Sequence, residues 1–152
     1  MSEKKIQEST EKTTVKKKKK TKGITAKSKK KTAIARAVIR RGKGIVRINR
    51  LNLKVYGSRY IKELVEEPLE IAGDMAKETD IEVRVKGGGA MAQALAARTA
   101  IAKALVNYFG EKKLKEKFLN YDRSLFVDDS RRKEPKKPMG RGARGKKQLS
   151  FR

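Results

Sequence analysis

Two groups of residues in this chain could do chemistry on a partner. Three consecutive glycines, Gly87-Gly88-Gly89, stand at the head of an alanine-rich stretch, and a large surplus of arginine and lysine lies mostly at the two ends. Neither group suits bond-breaking chemistry. The chain has no histidine and no cysteine, so it lacks the commonest general base, the commonest metal ligand and any thiolate. Glycines ahead of a helix allow positive φ and close backbone approach, and the first N–H groups of that helix carry partial positive charge, an arrangement that suits phosphate. The competing reading is a tight strand-to-helix turn that binds nothing. A nucleotide-hydrolysing loop adds Lys-Ser or Lys-Thr at its end, whereas Gly89 is followed by Ala90 and Met91. The expected chemistry is non-covalent capture of a polyanion, with no cofactor, metal or small-molecule substrate.

Charge points the same way. The formal net charge is +25 over 152 residues, with 37% hydrophobic residues, enough for one modest domain plus unfolded segments. Residues 1–32 hold 13 Lys/Arg against 3 acids, residues 33–129 hold 19 against 13, and residues 130–152 hold 10 against 1. Self-repulsion on that scale opposes compaction unless a polyanion absorbs it. Nucleic acid is the first candidate. An anionic membrane is the second, but no apolar run approaches the ~20 residues of a spanning helix, and the first residues lack the apolar core of a secretory signal. A cytoplasmic, non-enzymatic protein is expected.

The glycines need a sheet on one side and a helix on the other. Ile81, Val83 and Val85 alternate with Glu82, Arg84 and Lys86, the period of a strand with one buried face, and nothing from Ala90 to Phe109 breaks a helix. Along that helix Gln93, Thr99, Lys103 and Asn107 gather into a short-chained polar arc, interrupted only by Ala96 and Ala100 and flat enough to lie against another surface. Met91, Leu95, Ile101, Leu105 and Phe109 form the apolar face that would cover the sheet. Arg98 projects from the apolar side and needs a partner.

Upstream, Ala33, Ala35, Ala37 and Ile39 share one strand face, Gly42-Lys43-Gly44 reads as a turn, and residues 45–49 read as the returning strand of a hairpin. Arg36, Arg40 and Arg47 would then line the outer sheet face as RNA contacts. Ser58 can cap a helix carrying Ile61, Leu64 and Val65, which Pro68 should interrupt. The acids Glu63, Glu66, Glu67 and Glu70 read as a solvated helix face. Gly110 ends the long helix, and residues 111–121 form a shorter one with Leu114, Phe118 and Tyr121 inward. Residues 1–32 hold little that is apolar and read as a disordered basic extension. Residues 33–129 form the globular domain.

Residues 130–152 form an extended tail with no amphipathic period, reaching up to ~75 Å at about 3.3 Å per residue. Its Arg131, Arg132, Lys133, Lys136, Lys137, Arg141, Arg144, Lys146 and Lys147 are suited to neutralising phosphates in a crevice between RNA helices. Phe151 beside Arg152 offers a stacking ring and a bidentate fork.

Gly87-Gly88-Gly89, Gln93, Ala96, Lys103-Ala104-Leu105, the run from Asp129 through Lys137 and Gly140-Arg141-Gly142-Ala143-Arg144 together resemble the small-subunit ribosomal protein nine family in its archaeal/eukaryotic form. The resemblance runs from about Lys31 to Arg152. It implies an α+β fold, a mixed sheet with helices packed on it and a left-handed βαβ crossover. It also implies a tail embedded in ribosomal RNA of the subunit head, beside neighbouring ribosomal proteins. By matching position Ser150, Phe151 and Arg152 would lie nearest the anticodon stem-loop of transfer RNA in the peptidyl site. The chain departs from the family pattern at Met139, where glycine is usual, at Gly145 and Leu149, and at Phe151, where tyrosine is frequent. Residues 1–30 have no counterpart in the pattern. Two rivals make different demands: a free chromatin-like or single-strand binder would sediment away from ribosomes, and a nucleotide enzyme would have to recruit Asp80 or Glu82 as its base.

Overall fold

A computed structural model describes residues 23–145 and Ser150. Five strands form one mixed sheet: β1 (Ile24–Lys30), β2 (Ala33–Arg41), β3 (Val46–Ile48), β4 (Leu51–Asn52) and β5 (Thr79–Lys86), in the order β1-β2-β5-β3-β4. The helices are α1 (Arg59–Ala72), α2 (Asp74–Lys77), α3 (Ala90–Phe109) and α4 (Lys112–Tyr121). β1 and β2 make an antiparallel hairpin, β2 pairs antiparallel with β5, and β5 pairs parallel with β3. The chain between β3 and β5 runs through β4, α1 and α2, which supplies the βαβ crossover.

Period-two alternation is the reason for the layers. Ala33, Ala35, Ala37 and Ile39 of β2 and Ile81, Val83 and Val85 of β5 are buried. Their small and branched side chains let α3 lie close across β1, β2 and β5. α1 and α4 also pack on α3, so the long helix is enclosed along much of its length. Ala94, Ala96, Ala97, Ala100, Ile101, Ala102, Ala104 and Leu105 are all inaccessible to solvent.

Several expectations change here. Ile24–Lys30 is a strand, so the domain begins before the Thr32/Ala33 boundary, and the rest of the basic extension, residues 1–22, lies outside the described residues. β2 and β3 do not form a hairpin, because β5 is inserted between them. Their linking loop is held instead by Asp80, whose carboxylate accepts the N–H groups of Lys43 (2.8 Å) and Ile45 (3.0 Å). A Cβ on Gly42 would sit 2.0 Å from the Asp80 Cγ, so only glycine admits that carboxylate.

α1 continues through Pro68, whose ring is fully buried, and ends at Gly73 in the left-handed region (φ 59°). Burying the ring offsets the hydrogen bond that proline cannot donate. Ser58 occupies the N-cap position of α1 without a side-chain capping bond. Gly110 ends α3 at φ 67° as expected. Leu114 and Phe118 of α4 face the core, but Tyr121 is exposed.

Candidate RNA interface

The outer face of the sheet carries the side chains that alternate with the core. Register places Lys27 opposite Arg36 and Arg36 opposite Arg84, so three cations stand side by side across β1, β2 and β5. A second row runs from Val38 to Glu82 to Arg47, and a third from Arg40 to Asp80. Arg36, Arg40 and Arg47 are exposed, and among the described residues none of the three makes a side-chain hydrogen bond. Among the described strand residues, the acids on this face are Asp80 and Glu82. The hydrogen bonds from the Ile45 and Lys43 amides hold Asp80 below the usual carboxylate range, so it is charged and committed to the loop. Glu82 is loosely engaged by Arg84, at 3.3 Å.

Arg36, Arg40 and Arg47 stand where sequence pattern alone puts them, and the fold adds Lys27, Arg50, Arg84 and Lys86 to the exposed cations on or beside this face. The alternation Glu82, Arg84, Lys86 was the signal for two of these. Lys27 was hidden by the assignment of its strand to a disordered tail.

The glycine corner divides into two parts. Gly87 (φ 77°) and Gly88 (φ 68°) are in the left-handed region and press on the turn between β1 and β2, where a Cβ on Gly87 would lie 2.5 Å from the Thr32 carbonyl oxygen. Gly89 is different. It has extended backbone (φ −101°), caps α3 without a side chain, and has no atom within 4 Å of where its Cβ would be. Gln93 reaches back from α3 so that its Nε2 donates to the Gly87 carbonyl at 3.1 Å, which fixes the corner. Gln93 is therefore spent on the turn.

The polar arc of α3 is not an open surface. Ala96 and Ala100 are fully buried and Thr99 is 4% exposed. The arc is flat because a strand lies across this helix, and that strand is β1. Lys103 at its end forms an ion pair with Asp128 at 2.7 Å. Arg98, on the far side of α3, finds the partners it needs. Its Nη1 donates to Asp122 Oδ2 at 3.0 Å, and its Nη2 lies against Glu67 as an ion pair without hydrogen-bond alignment.

The tail is rooted in the sheet. Asp129 pairs with the open edge of β1, donating its N–H to the Lys29 carbonyl (3.0 Å) and accepting from Lys31 N–H (2.7 Å). Its carboxylate takes both Nε and Nη2 of Arg131, which hold it far below the usual range. Arg144 forks onto Glu134 at 3.0 and 2.8 Å, folding residues 134–144 into a loop. Met139 in that loop has φ 63°, a conformation that favours glycine, which is the physical reason a glycine suits the position. Arg132, Lys133, Lys136, Lys137 and Arg141 are exposed. Ser150 is exposed, while Lys146, Lys147, Phe151 and Arg152 lie outside the described residues.

The family model of ribosomal protein S9/S16 matches residues 28–152. Small ribosomal subunit protein uS9 of Thermoplasma acidophilum is 53% identical over 121 residues, covering 80% of this chain and 94% of the relative. The protein of the same name from Picrophilus torridus is 52% identical over 121 residues, with 80% and 91% covered. That from Methanococcus maripaludis is 47% identical over 123 residues, with 80% and 92% covered.

Proposed function

Because the chain belongs to the ribosomal protein S9/S16 family, we propose that its outer sheet face and C-terminal tail hold ribosomal RNA in the head of the small subunit, and that the tail's end reaches the anticodon stem-loop of transfer RNA in the peptidyl site. Membership carries the coarser statement by itself. The protein is a structural component of the small ribosomal subunit, acts in translation on the cytoplasmic ribosome, and is not an enzyme.

The observation that carries the RNA reading is the Lys27-Arg36-Arg84 row. Like charges in adjacent register positions repel and lower the stability of the sheet. An RNA backbone laid across the face would turn that repulsion into phosphate neutralisation and counterion release. The spacing fits as well, because neighbouring strands ~4.8 Å apart set a ladder of cations closer than successive phosphates, so that one strand of RNA can be followed without gaps. The tail adds a second set of cations, anchored at Asp129 so that it leaves from the β1 edge of the sheet.

The test is incorporation. Arg36→Glu combined with Arg84→Glu should leave the domain folded, since both side chains are exposed, and should abolish co-sedimentation with small subunits in high salt. Normal incorporation would remove the sheet face from the RNA contact. For the tail's end, deletion of residues 150–152 should leave assembly intact and weaken transfer RNA retention in the peptidyl site by about 1.5–3 kcal/mol at most, the range of a hydrogen bond to a charged group. Filter binding equal to the full chain across a salt series would reject that contact.

A further inference from the structure

A hollow of about 410 Å³ opens on the outer sheet face at the end away from the glycine corner. Val38 and Ile45 contribute apolar surface to it, Glu82 stands between Val38 and Arg47 in register, and Arg40, Arg47 and Arg50 line it together with Arg41, Ile81 and the loop-bound Asp80. We propose that this hollow takes one unpaired guanine nucleotide of the RNA, with Glu82 reading the base and Arg47 and Arg50 holding its phosphates. The inference rests on the RNA-binding role of the sheet face proposed above and goes further by naming the nucleotide.

The lining has the composition such a site needs. Its volume lies in the range of small-ligand pockets. Unpaired bases are recognised by stacking one face on a flat or apolar surface while their edges are hydrogen-bonded. Ile45, the loop residue just before β3, is 38% exposed, so its branched aliphatic surface is uncovered in the free protein. A carboxylate in an arginine-rich RNA face is costly unless it has a use, because it repels phosphate. Asp80 has a structural use, the loop it caps. Among the described residues Glu82 has only the loose contact with Arg84. A carboxylate has two acceptor oxygens, and guanine alone among the bases presents two adjacent donors, N1–H and the exocyclic amino group, on its pairing edge. Adenine, cytosine and uracil each present a donor beside an acceptor, which the second oxygen would repel.

Arg50 supplies an independent observation. The turn between β3 and β4 is Asn49-Arg50, and both have positive φ, 47° and 73°. Two-residue turns of this kind favour Asn-Gly. Asn49 is explained, since its side chain exchanges two hydrogen bonds with the backbone of Val85, at 2.8 and 3.2 Å. Arg50 is in the glycine position, and among the described residues its guanidinium makes no hydrogen bond. An arginine where glycine would be easier, beside a hollow with an unassigned carboxylate, is what a phosphate contact at this site requires.

The full-length chain should be titrated by fluorescence anisotropy with five 12-nucleotide RNAs, uridine throughout except for guanosine, inosine, adenosine, cytidine or uridine at one central position. All five carry the same charge, so the contribution of the basic tails cancels in the comparison. Guanosine should bind about tenfold more tightly than inosine, which lacks the amino group, and than the other three, the scale of one good bidentate base contact. Glu82→Gln should remove the preference, and because it also removes a charge that repels phosphate, the all-uridine strand should bind at least as tightly as it does to the wild type. Arg50→Gly should raise the melting temperature by a few degrees and weaken all five strands together. Equal binding of guanosine and inosine, a preference that survives Glu82→Gln, or unchanged affinity in Arg50→Gly would overturn the guanine site and leave the RNA-binding role standing. Failure to bind any of the five would overturn the RNA-binding role itself.

Discussion

Lys103 Nζ lies 2.7 Å from Asp128 Oδ1, and the same oxygen accepts the Lys29 backbone N–H at 3.2 Å. One carboxylate thus ties the long helix, the edge strand and the root of the tail together. Burial raises the Asp128 pKa, but the hydrogen bonds from Lys103 and Lys29 outweigh that and leave it below the usual value. Asp128→Ala should therefore loosen the tail where it joins the sheet. With the aspartate side chain 45% exposed, the cost should be about 1 kcal/mol, at the upper end for a partly solvated pair. Hydrogen exchange at the Lys31 and Asp129 amides should accelerate while the Val83 and Val85 amides stay protected. Unaltered exchange at Lys31 would show that the backbone pairing holds the tail without Asp128.

Arg98 joins α3 to α1 and to the turn after α4 through Glu67 and Asp122. It is 9% exposed at the side chain, so removing it leaves two acids facing one another at the edge of the core. Arg98→Ala should cost about 2–3 kcal/mol, less than the full range for a buried pair because both carboxylates keep some contact with water. Arg98→Met, which restores the volume, should recover part of it. The same cluster makes stability depend on pH. The Ser124 hydroxyl bond, opposed by burial and reinforced by the Ser124 amide and Arg98, leaves the Asp122 pKa lowered in the folded state. Its unfolded value is near 4, so its contribution is present above about pH 4 and is lost as pH falls through the folded value. Denaturant midpoints of the wild type should fall with acidification below about pH 4, and Asp122→Asn should flatten that fall. Parallel curves for the two proteins would exclude Asp122 as the titrating group.

The sheet's inner face, the long helix and both of its ends were legible because each rests on local pattern: alternation in β2 and β5, an unbroken helical run, and glycines where the backbone turns. β1 was missed for a local reason too. Ala26 and Ser28 are small, and Lys27, Lys29 and Lys30 surround them, so a strand that buries only two short side chains looks like a lysine tail. That one omission propagated. Without β1, Ala96, Thr99 and Ala100 have nothing to cover them, and the flat arc they form reads as a surface open to a partner. The pairing of β3 with β5 is non-local and depends on Asp80 reaching a loop 35 residues away, which no period in the sequence encodes.

Substitutions at the glycine corner should separate fold from binding. Gly87→Ala places a Cβ 2.5 Å from a carbonyl oxygen at positive φ and should cost more than about 2 kcal/mol. Ala96→Glu and Gly88→Asp should likewise unfold the domain, since Ala96 is sealed in the core and Gly88 has φ 68°. Gly89→Asp should do the opposite. The position is open and extended, an aspartate there caps α3 and complements its dipole, and stability should rise by about 0.3–1 kcal/mol. If phosphate approaches this corner, the same variant should bind small-subunit ribosomal RNA more weakly despite being more stable. A stabilised variant with undiminished affinity would leave the corner as a structural turn.

The tail holds 10 Lys/Arg against a single acid, Glu134, and that acid is already spent on Arg144. Arg131 is likewise bound to Asp129, which belongs to the domain and not to the tail. The remaining cations of the described tail are exposed and available, so deletion of residues 130–152 should flatten the dependence of log K on log salt for a small-subunit ribosomal RNA fragment. Each phosphate released from contact removes about 0.7–0.9 from the slope, and the change should amount to several units. Glu134→Ala provides the complementary variant. Freeing one arginine can add at most about one further phosphate contact, so its slope should steepen by about one unit or less, with Met139 no longer held in the loop that the ion pair closes. An unchanged slope on deletion would mean that the sheet face alone neutralises the RNA and that the tail's cations stay in solvent.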